Sequence, residues 1–404
     1  TWTGTVYIRA DGSIKPPDAP ITTYDNITYT LTDDITSSGD GLIVERDNII
    51  IDGKDFLING TRTCGSRGIA LIRTKNVTVK NVHVNDFYYG IYLSQSSNNL
   101  IYRNNVTKNY LGVYVSSFSN GNRIVENTVI SNSWGIAVSC SFNNTVSHND
   151  LAANRHGIII EAKAANNLIS ENILRWFHEE AIWLFYSSNN LVIRNMITEF
   201  TFSGIEIFRS SNNTISENNA TSIWLRYSRH NLITKNNASL IRLEKSSENY
   251  IYENLLRGGG MIVEASYDNL VIDNLVNDKP LIYLEDIFNV SISGLAGQVI
   301  LVNCSYVKVE YVSVERIKYG IQLWKTRNSV IKGNNVTKCN RGILLLHSIN
   351  NEIIGNNITR NYSGIYISAS LNNTISKNDI TDNKYGIRFW HRHENSYHNR
   401  IYHN

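Results

Sequence analysis

A six-residue pattern, Asn-x-Ile/Val-x-x-Asn, returns through most of this 404-residue chain. It stands at Asn99–Asn104, Asn122–Asn127, Asn144–Asn149, Asn167–Asn172, Asn190–Asn195 and Asn213–Asn218. It stands again at Asn231–Asn236, Asn249–Asn254, Asn269–Asn274, Asn351–Asn356 and Asn373–Asn378. A unit this short cannot bury its own apolar face, so it must stack on copies of itself. The repeat therefore overrides chain length, which alone would suggest two or three globular domains.

Within a unit the apolar residues alternate with period two, which is a strand pattern and excludes helical repeats. A glycine marks the start of most units: Gly41, Gly68, Gly90, Gly112, Gly135, Gly157, then Ala181 in its place, Gly204, and later Gly320, Gly342, Gly364 and Gly386. Most spacings are 22 to 24 residues, shrinking between about 204 and 298. After the marker, pairs such as Ile91/Leu93, Val113/Val115 and Ile136/Val138 point inward. A second strand turns Ile101, Ile124 or Val146 inward, and a third Val106, Ile173, Ile358 or Ile380. Three short strands per turn predict an all-β fold: a single-stranded right-handed parallel β-helix of about sixteen coils, the hand following from that of parallel crossovers. The Leu-x-x-Leu-x-Leu signature of leucine-rich repeats is absent. Corners between strands need left-handed or bridge conformations, which asparagine tolerates. Stacked asparagine side chains can also hydrogen-bond from turn to turn. Residues 1–40, with three of the four prolines, read as an N-terminal strand cap over the first coil, and residues 41–404 as the repeat domain.

Apolar content of 42% supplies a core, and a net charge of +3 leaves no footprint for nucleic acid or anionic lipid. No apolar run reaches the roughly 18–20 residues of a membrane span. Cys64, Cys140, Cys304 and Cys339 lack metal-ligand spacing, and Cys64 and Cys140 would lie about four layers apart, beyond disulfide reach, so free thiols are expected. Sequons at Asn26, Asn59, Asn76, Asn105, Asn143, Asn212, Asn219, Asn237, Asn289, Asn303, Asn335, Asn357, Asn361 and Asn372 support an exported, N-glycosylated protein of the cell surface or extracellular space.

Two places could carry chemistry. The stretch Trp176–Glu180 enlarges one corner, and His178 with Glu179 or Glu180 could act as base and acid. Its structural alternative is a solvated loop anchored by its aromatics. The outward positions after the marker form a strip on one sheet face, richest at Trp183, Phe185, Glu206, Phe208, Trp224, Arg226, Arg242 and Glu244. Such a strip suits stacking on sugar rings, burial against another protein, or plain cross-layer ladders. His391, His393, His398 and His403 gather near the end of the sequence without a supporting carboxylate or cysteine pattern. Neither a metal nor another cofactor is expected.

The repeated Gly-Ile-x-Leu and Asn-Asn-x-Ile-x-x-Asn resemble the parallel β-helix repeats of the pectin-lyase-like superfamily, in the branch of NosD-type periplasmic proteins and carbohydrate-binding and sugar-hydrolase domains. The opening Val6–Ile14 and Pro16–Ile21 resemble the mature start of archaeal exported β-helix proteins. The resemblance covers residues 41–404 and implies the fold. It implies function poorly, since the same scaffold hosts lyases, epimerases and structural proteins. Enzymes of the superfamily carry an Asp-Asp pair, matched only by Asp33-Asp34 in the cap, and a Gly-His-Gly, matched only in part by Arg155-His156-Gly157. The epimerases' Asp-Pro-His has only a faint counterpart in Phe177–Glu180. None of these motifs transfers.

The expected role is structural or adhesive. The last coil, starting at Gly386, has no cap after it, so either residues are missing or another molecule covers it. A head-to-tail contact between copies would build filaments. Other surface proteins are the further expected partners. The alternative is a polysaccharide-binding or polysaccharide-active protein, on uronic-acid polymers, using the aromatic strip as its groove.

Overall fold

The structure, a computed structural model, describes residues 1–199, 203–390 and 396–404, and His391 and His393 lie outside them. The described residues hold strands and no helix, arranged as a parallel β-solenoid of about 17 turns. Contacts divide the chain into two compact units, Thr1–Thr221 and Ser222–Asn404.

In the first unit each regular turn has a six-residue strand and two three-residue strands, as in Leu111–Ser116, Arg123–Val125 and Thr128–Ile130. Each pairs in parallel with its counterpart one turn on: Val113 with Ile136, Ile124 with Val146, Val129 with Leu151. These side chains are buried and form continuous aliphatic ladders. In the third column Leu174, not Ile173, points inward. Leu174 pairs with Leu151, while Ile173 pairs with Asp150 and is exposed. The period-two pattern shows which residues alternate but not which phase faces the core in an all-apolar Ile-Leu pair.

The section expected as a cap itself contains strands of the first turn. Val6–Ile8 pairs in parallel with Leu42–Val44, Thr28–Leu31 with Ile50–Asp52, and Ile35–Thr36 with Leu57–Asn59. Two antiparallel pairings, of Ile8 with Ile14 and of Ile21 with Leu31, are added to it.

The repeated asparagines do something other than adopt the left-handed conformation. That backbone belongs to the residue before each of them, whatever its type: Asn98 before Asn99, Arg103 before Asn104, Glu126 before Asn127, His148 before Asn149. The repeated asparagine is buried and serves as a hydrogen-bonding post. Asn127 Oδ1 accepts from the backbone N–H and the Nδ2 of Asn104, at 2.9 and 3.0 Å. Its own Nδ2 donates to the carbonyls of Ile101 and Val125 and to Asn149 Oδ1. A chain folded into corners leaves buried N–H and C=O groups that no strand ladder pairs, and the carboxamide satisfies both kinds. A third column, Asn109, Asn132 and Asn154, does the same at the remaining corner. It starts from Phe87, whose N–H bonds Asn109 Oδ1. Phe177, buried beneath Gly157, lies beyond Asn154. The marker glycines answer to packing: a Cβ on Gly112 would sit 2.5 Å from the carbonyl oxygen of Gly135.

The second unit opens with narrow turns. Asn231 and Asn249 are 18 residues apart, Asn249 and Asn269 are 20, against 22 for Asn351 and Asn373. The saving comes from one corner: Asn237–Glu244 is a single eight-residue strand where wider turns have two strands and a bend. This stacking then stops. Leu275–Val276 turns back antiparallel onto Lys279–Glu285, and a new set of ladders begins from there. The strand Leu255–Glu264 meets the new stack through two buried glutamine side chains. Gln298 accepts from Met261 N–H at 2.7 Å and donates to the carbonyls of Met261, at 2.7 Å, and Tyr319, at 2.8 Å. Gln322 bonds the N–H and the carbonyl of Val263 in the same way. A primary amide has the donor and acceptor of a peptide group, so each glutamine acts as a one-residue strand along this edge, where the Gly259 carbonyl also accepts from Lys318 N–H. The four cysteines are free thiols; Cys304 and Cys339 are buried, and burial pushes the Cys339 thiol up to about 11.

Candidate functional site

The cluster with the most chemistry lies in the first unit, on the outer face of the sheet of six-residue strands. One column of that face runs Trp134, His156, Glu180 in successive turns. Glu179 and Glu180 both reach an imidazole, and it is that of His156, one turn away, which the expectation centred on His178 missed. His156 Nδ1 lies 2.8 Å from Glu180 Oε2, and its Nε2 lies 3.3 Å from Glu179 Oε2. Glu179 in turn pairs with Arg155 at 2.6 Å. His156 and Glu180 are buried, Glu179 is half-buried and Arg155 is exposed, so the series leads from the covered sheet face to water.

Aromatic rings close the buried end. Trp183 stacks on His156 with centroids 5.8 Å apart, and Trp134 meets it edge-on at 6.0 Å. Burial pushes the Glu180 carboxyl up, but the bonds it accepts from His156, from its own backbone N–H and from Glu206 outweigh it and hold the group below its ordinary value. An ionised carboxylate only accepts, so His156 presents Nδ1–H to Glu180 and aims Nε2 at Glu179. The neighbouring Glu161 is shifted the other way, raised by burial against the bond from Ser139.

Sequence alone could have found His156, because it sits one repeat before Glu180 in the same column. Its immediate neighbours Arg155 and Gly157 give it no motif, whereas a solenoid joins residues one turn apart. His178 is exposed and lines a cleft of about 380 Å³ together with Arg62, Tyr88, Tyr110, Ser133 and Arg155. Tyr88, Tyr110, Ser133 and Arg155 hold one corner position in four successive turns, and the next turn places Glu179 there. The rings of Tyr88 and Tyr110 lie 4.7 Å apart. Arg62 crosses from an earlier corner, its guanidinium held by the Lys108 carbonyl and by Asp86.

The strip residues engage one another. In the first unit Phe185 stacks on Phe208 at 5.6 Å and tilts against Trp183 at 4.6 Å, while Glu206 is buried. In the second unit Arg226 and Arg242 each lie 4.7 Å from the Trp224 ring centroid. Glu244 lies within 3.7 Å of both guanidiniums, and Arg242 also pairs with Glu264 at 2.8 Å. Among the sequon asparagines, Asn361 is a ladder post: buried, it bonds the Cys339 N–H, the Val336 carbonyl and Asn383, so the folded chain offers no glycan attachment there. Asn59 and Asn105 are half-buried, and the other eleven are exposed.

A second acidic group, Asp268, Glu285 and Asp286, lies in the second unit. Glu285 accepts from the N–H groups of Asp268 and Asn269 and from the Tyr283 hydroxyl, replacing the asparagine post that the turn lacks.

Two family models match the chain: "Periplasmic copper-binding protein (NosD)" over residues 119–237 and 286–404, and "Right handed beta helix region" over 25–174. The unmatched stretch between the two NosD segments contains the hairpin where stacking restarts. No curated protein matches the sequence. Among solved structures, a DFA-IIIase from Arthrobacter chlorophenolicus in complex with DFA-III aligns at 12% identity and TM-score 0.44, over 58% of this chain and 71% of its own. An alginate lyase from a Paenibacillus species aligns at 11% and 0.33, over 58% and 92%. The A-module of a mannuronan C-5 epimerase from Azotobacter vinelandii aligns at 12% and 0.32, over 90% and 91%. These are likenesses of fold alone.

Proposed function

We propose, for a chain that belongs to the NosD family of right-handed β-helix proteins, that it is an exported protein that binds polysaccharide, uronic-acid polymers first, in the cleft of the first unit. The observation that carries this reading is the corner column Tyr88, Tyr110, Ser133, Arg155, which leads to the Glu179–His156–Glu180 series. Successive turns rise about 4.8 Å, close to the repeat of rings in an extended sugar chain. Tyrosine rings offer stacking faces to sugar C–H groups, and a guanidinium recognises a carboxylate.

The same end of the cleft has the parts for proton transfer. Arg155 is placed to meet a uronate carboxylate. Glu179 is the accessible carboxylate beside it, and His156, oriented by Glu180, is positioned to exchange a proton with Glu179. A uronate lyase or epimerase requires removal of a proton next to a carboxylate, and this arrangement suits that step.

Copper, named in the family description, does not fit the donor groups found among the described residues. Among the described residues, the groups able to hold an ion are His156 with Glu179 and Glu180, and Asp268 with Glu285 and Asp286. They offer one imidazole, five carboxylates and no sulfur, an oxygen-rich set suited to harder cations.

The test is calorimetric titration with oligogalacturonate, oligoalginate and a neutral oligosaccharide, combined with the ultraviolet absorbance of unsaturated uronate products. Binding is expected to weaken about tenfold in Tyr110→Ala and Arg155→Gln, and any turnover to be lost in Glu179→Gln. A glycan array with no bound member overturns the reading. The competing structural or adhesive role would gain if particles grew with protein concentration instead.

A further inference from the structure

The second unit carries a pair of aromatic rings that its fold does not require. Phe288, Ser305, Arg327, Ile349 and Leu371 share one corner column, bridged turn to turn. Only the first is aromatic, and its ring is 66% exposed. The next column is asparagine in the surrounding turns, at Asn289, Asn328, Asn350 and Asn372, all in the left-handed conformation that asparagine tolerates. Tyr306 takes that position with φ 57°, half-exposed, at a conformational cost that asparagine would reduce. The two rings meet edge to face, 5.2 Å between centroids. They line a depression of about 460 Å³ with Arg327, Asn328 and Asn350, in which Arg327 is the one charged side chain.

We infer that this depression is a second polysaccharide-binding surface, specific for acidic sugars and separate from the cleft of the first unit. The inference rests on the reading of the chain as a polysaccharide binder. Phe288 and Tyr306 supply apolar faces for sugar rings, the asparagine amides offer donors and acceptors for hydroxyls, and Arg327, with no acidic group in the lining, supplies charge complementarity to a carboxylate. Linking two sites on one polymer raises avidity for long chains without strengthening binding of short ones.

The experiment uses the full chain with polygalacturonate, a short oligogalacturonate and a neutral polymer, read by affinity electrophoresis and calorimetry. Four proteins are compared: the parent, Tyr306→Asn with Phe288→Ser, Arg327→Gln, and the cleft variant Tyr110→Ala with Arg155→Gln. Tyr306→Asn and Phe288→Ser restore residues found in the same columns of neighbouring turns, so the fold is retained. The expected result is about a tenfold loss of polygalacturonate affinity in the Phe288/Tyr306 variant, a loss in Arg327→Gln confined to the acidic polymer, and residual acidic-polymer binding in the cleft variant. Unchanged polygalacturonate binding in the Phe288/Tyr306 variant overturns this inference and leaves the cleft reading standing. No binding by the parent overturns both.

Discussion

Replacing Asn127 by aspartate exchanges one amide nitrogen for an oxygen in a buried ladder and leaves the shape almost unchanged. The two amide hydrogens on Asn127 Nδ2 serve three acceptors, the Ile101 and Val125 carbonyls and Asn149 Oδ1, at 2.9 to 3.1 Å. Aspartate retains the acceptor for Asn104 but turns a second oxygen toward three acceptors. At about 1 kcal/mol net per N–H donor, the loss is about 2 kcal/mol, rising to about 4 kcal/mol with desolvation of the charge. At low pH the neutral acid recovers one donor, and the deficit falls to about 1 kcal/mol. The pH dependence has a definite sign. The buried carboxyl has a folded value above its unfolded one, so the folded state holds the proton longer. Destabilisation therefore grows as pH rises from about 4 through the folded value. The assay is urea unfolding at pH 4 and pH 7, with amide exchange in the turns around Ile124 to confirm that the change is local. Asn127→Gly is the deciding control. If the asparagine were kept for left-handed backbone, glycine would be tolerated. Parent-like stability of Asn127→Gly, or a pH-independent Asn127→Asp deficit, would refute the donor argument.

Glu180 and Glu161 should respond oppositely to pH. Glu180 has a lowered folded value, so its contribution is present above the ordinary value of 4.5 and lost as pH falls through the folded one, and Glu180→Gln should abolish that acid sensitivity. Glu161 has a raised value, so its penalty appears as pH rises from 4.5 through the folded value, and Glu161→Gln should gain stability relative to the parent at neutral pH but not in acid. Thermal unfolding across pH checks both. Gln298→Ala removes three bonds and orphans the Met261 N–H and carbonyl, costing about 3–5 kcal/mol in urea unfolding. Gly112→Ala brings a methyl against the Gly135 carbonyl, which cannot move aside, and should cost about 3 kcal/mol by the same measurement. Expressed in a glycosylating host, the protein should show no glycan at Asn361 by peptide mass spectrometry, whatever the exposed sequons carry.

The solenoid was legible in the amino-acid pattern alone. A period-two apolar pattern inside a recurring unit has one economical solution, in which every turn pairs with its copies, and this held from Arg67 to Thr198 and again from Tyr319 to Trp390. The same pattern also pointed to the corner at Trp176–Glu180, because a departure from a repeat is visible in one dimension. Whatever depends on neighbours a full turn away emerged only on folding. Folding paired Glu180 with His156 rather than His178, turned Leu174 inward instead of Ile173, and buried each repeated asparagine as a post while the residue before it, asparagine or not, took the left-handed backbone. It also ended one stack at Val276 and bonded the Leu255–Glu264 edge to Gln298 and Gln322. The physical reason is common to all of these. Backbone periodicity is local and so is written in adjacent letters. Hydrogen-bond satisfaction and titration are set by groups some 20 residues apart, which become neighbours only once the turns are stacked.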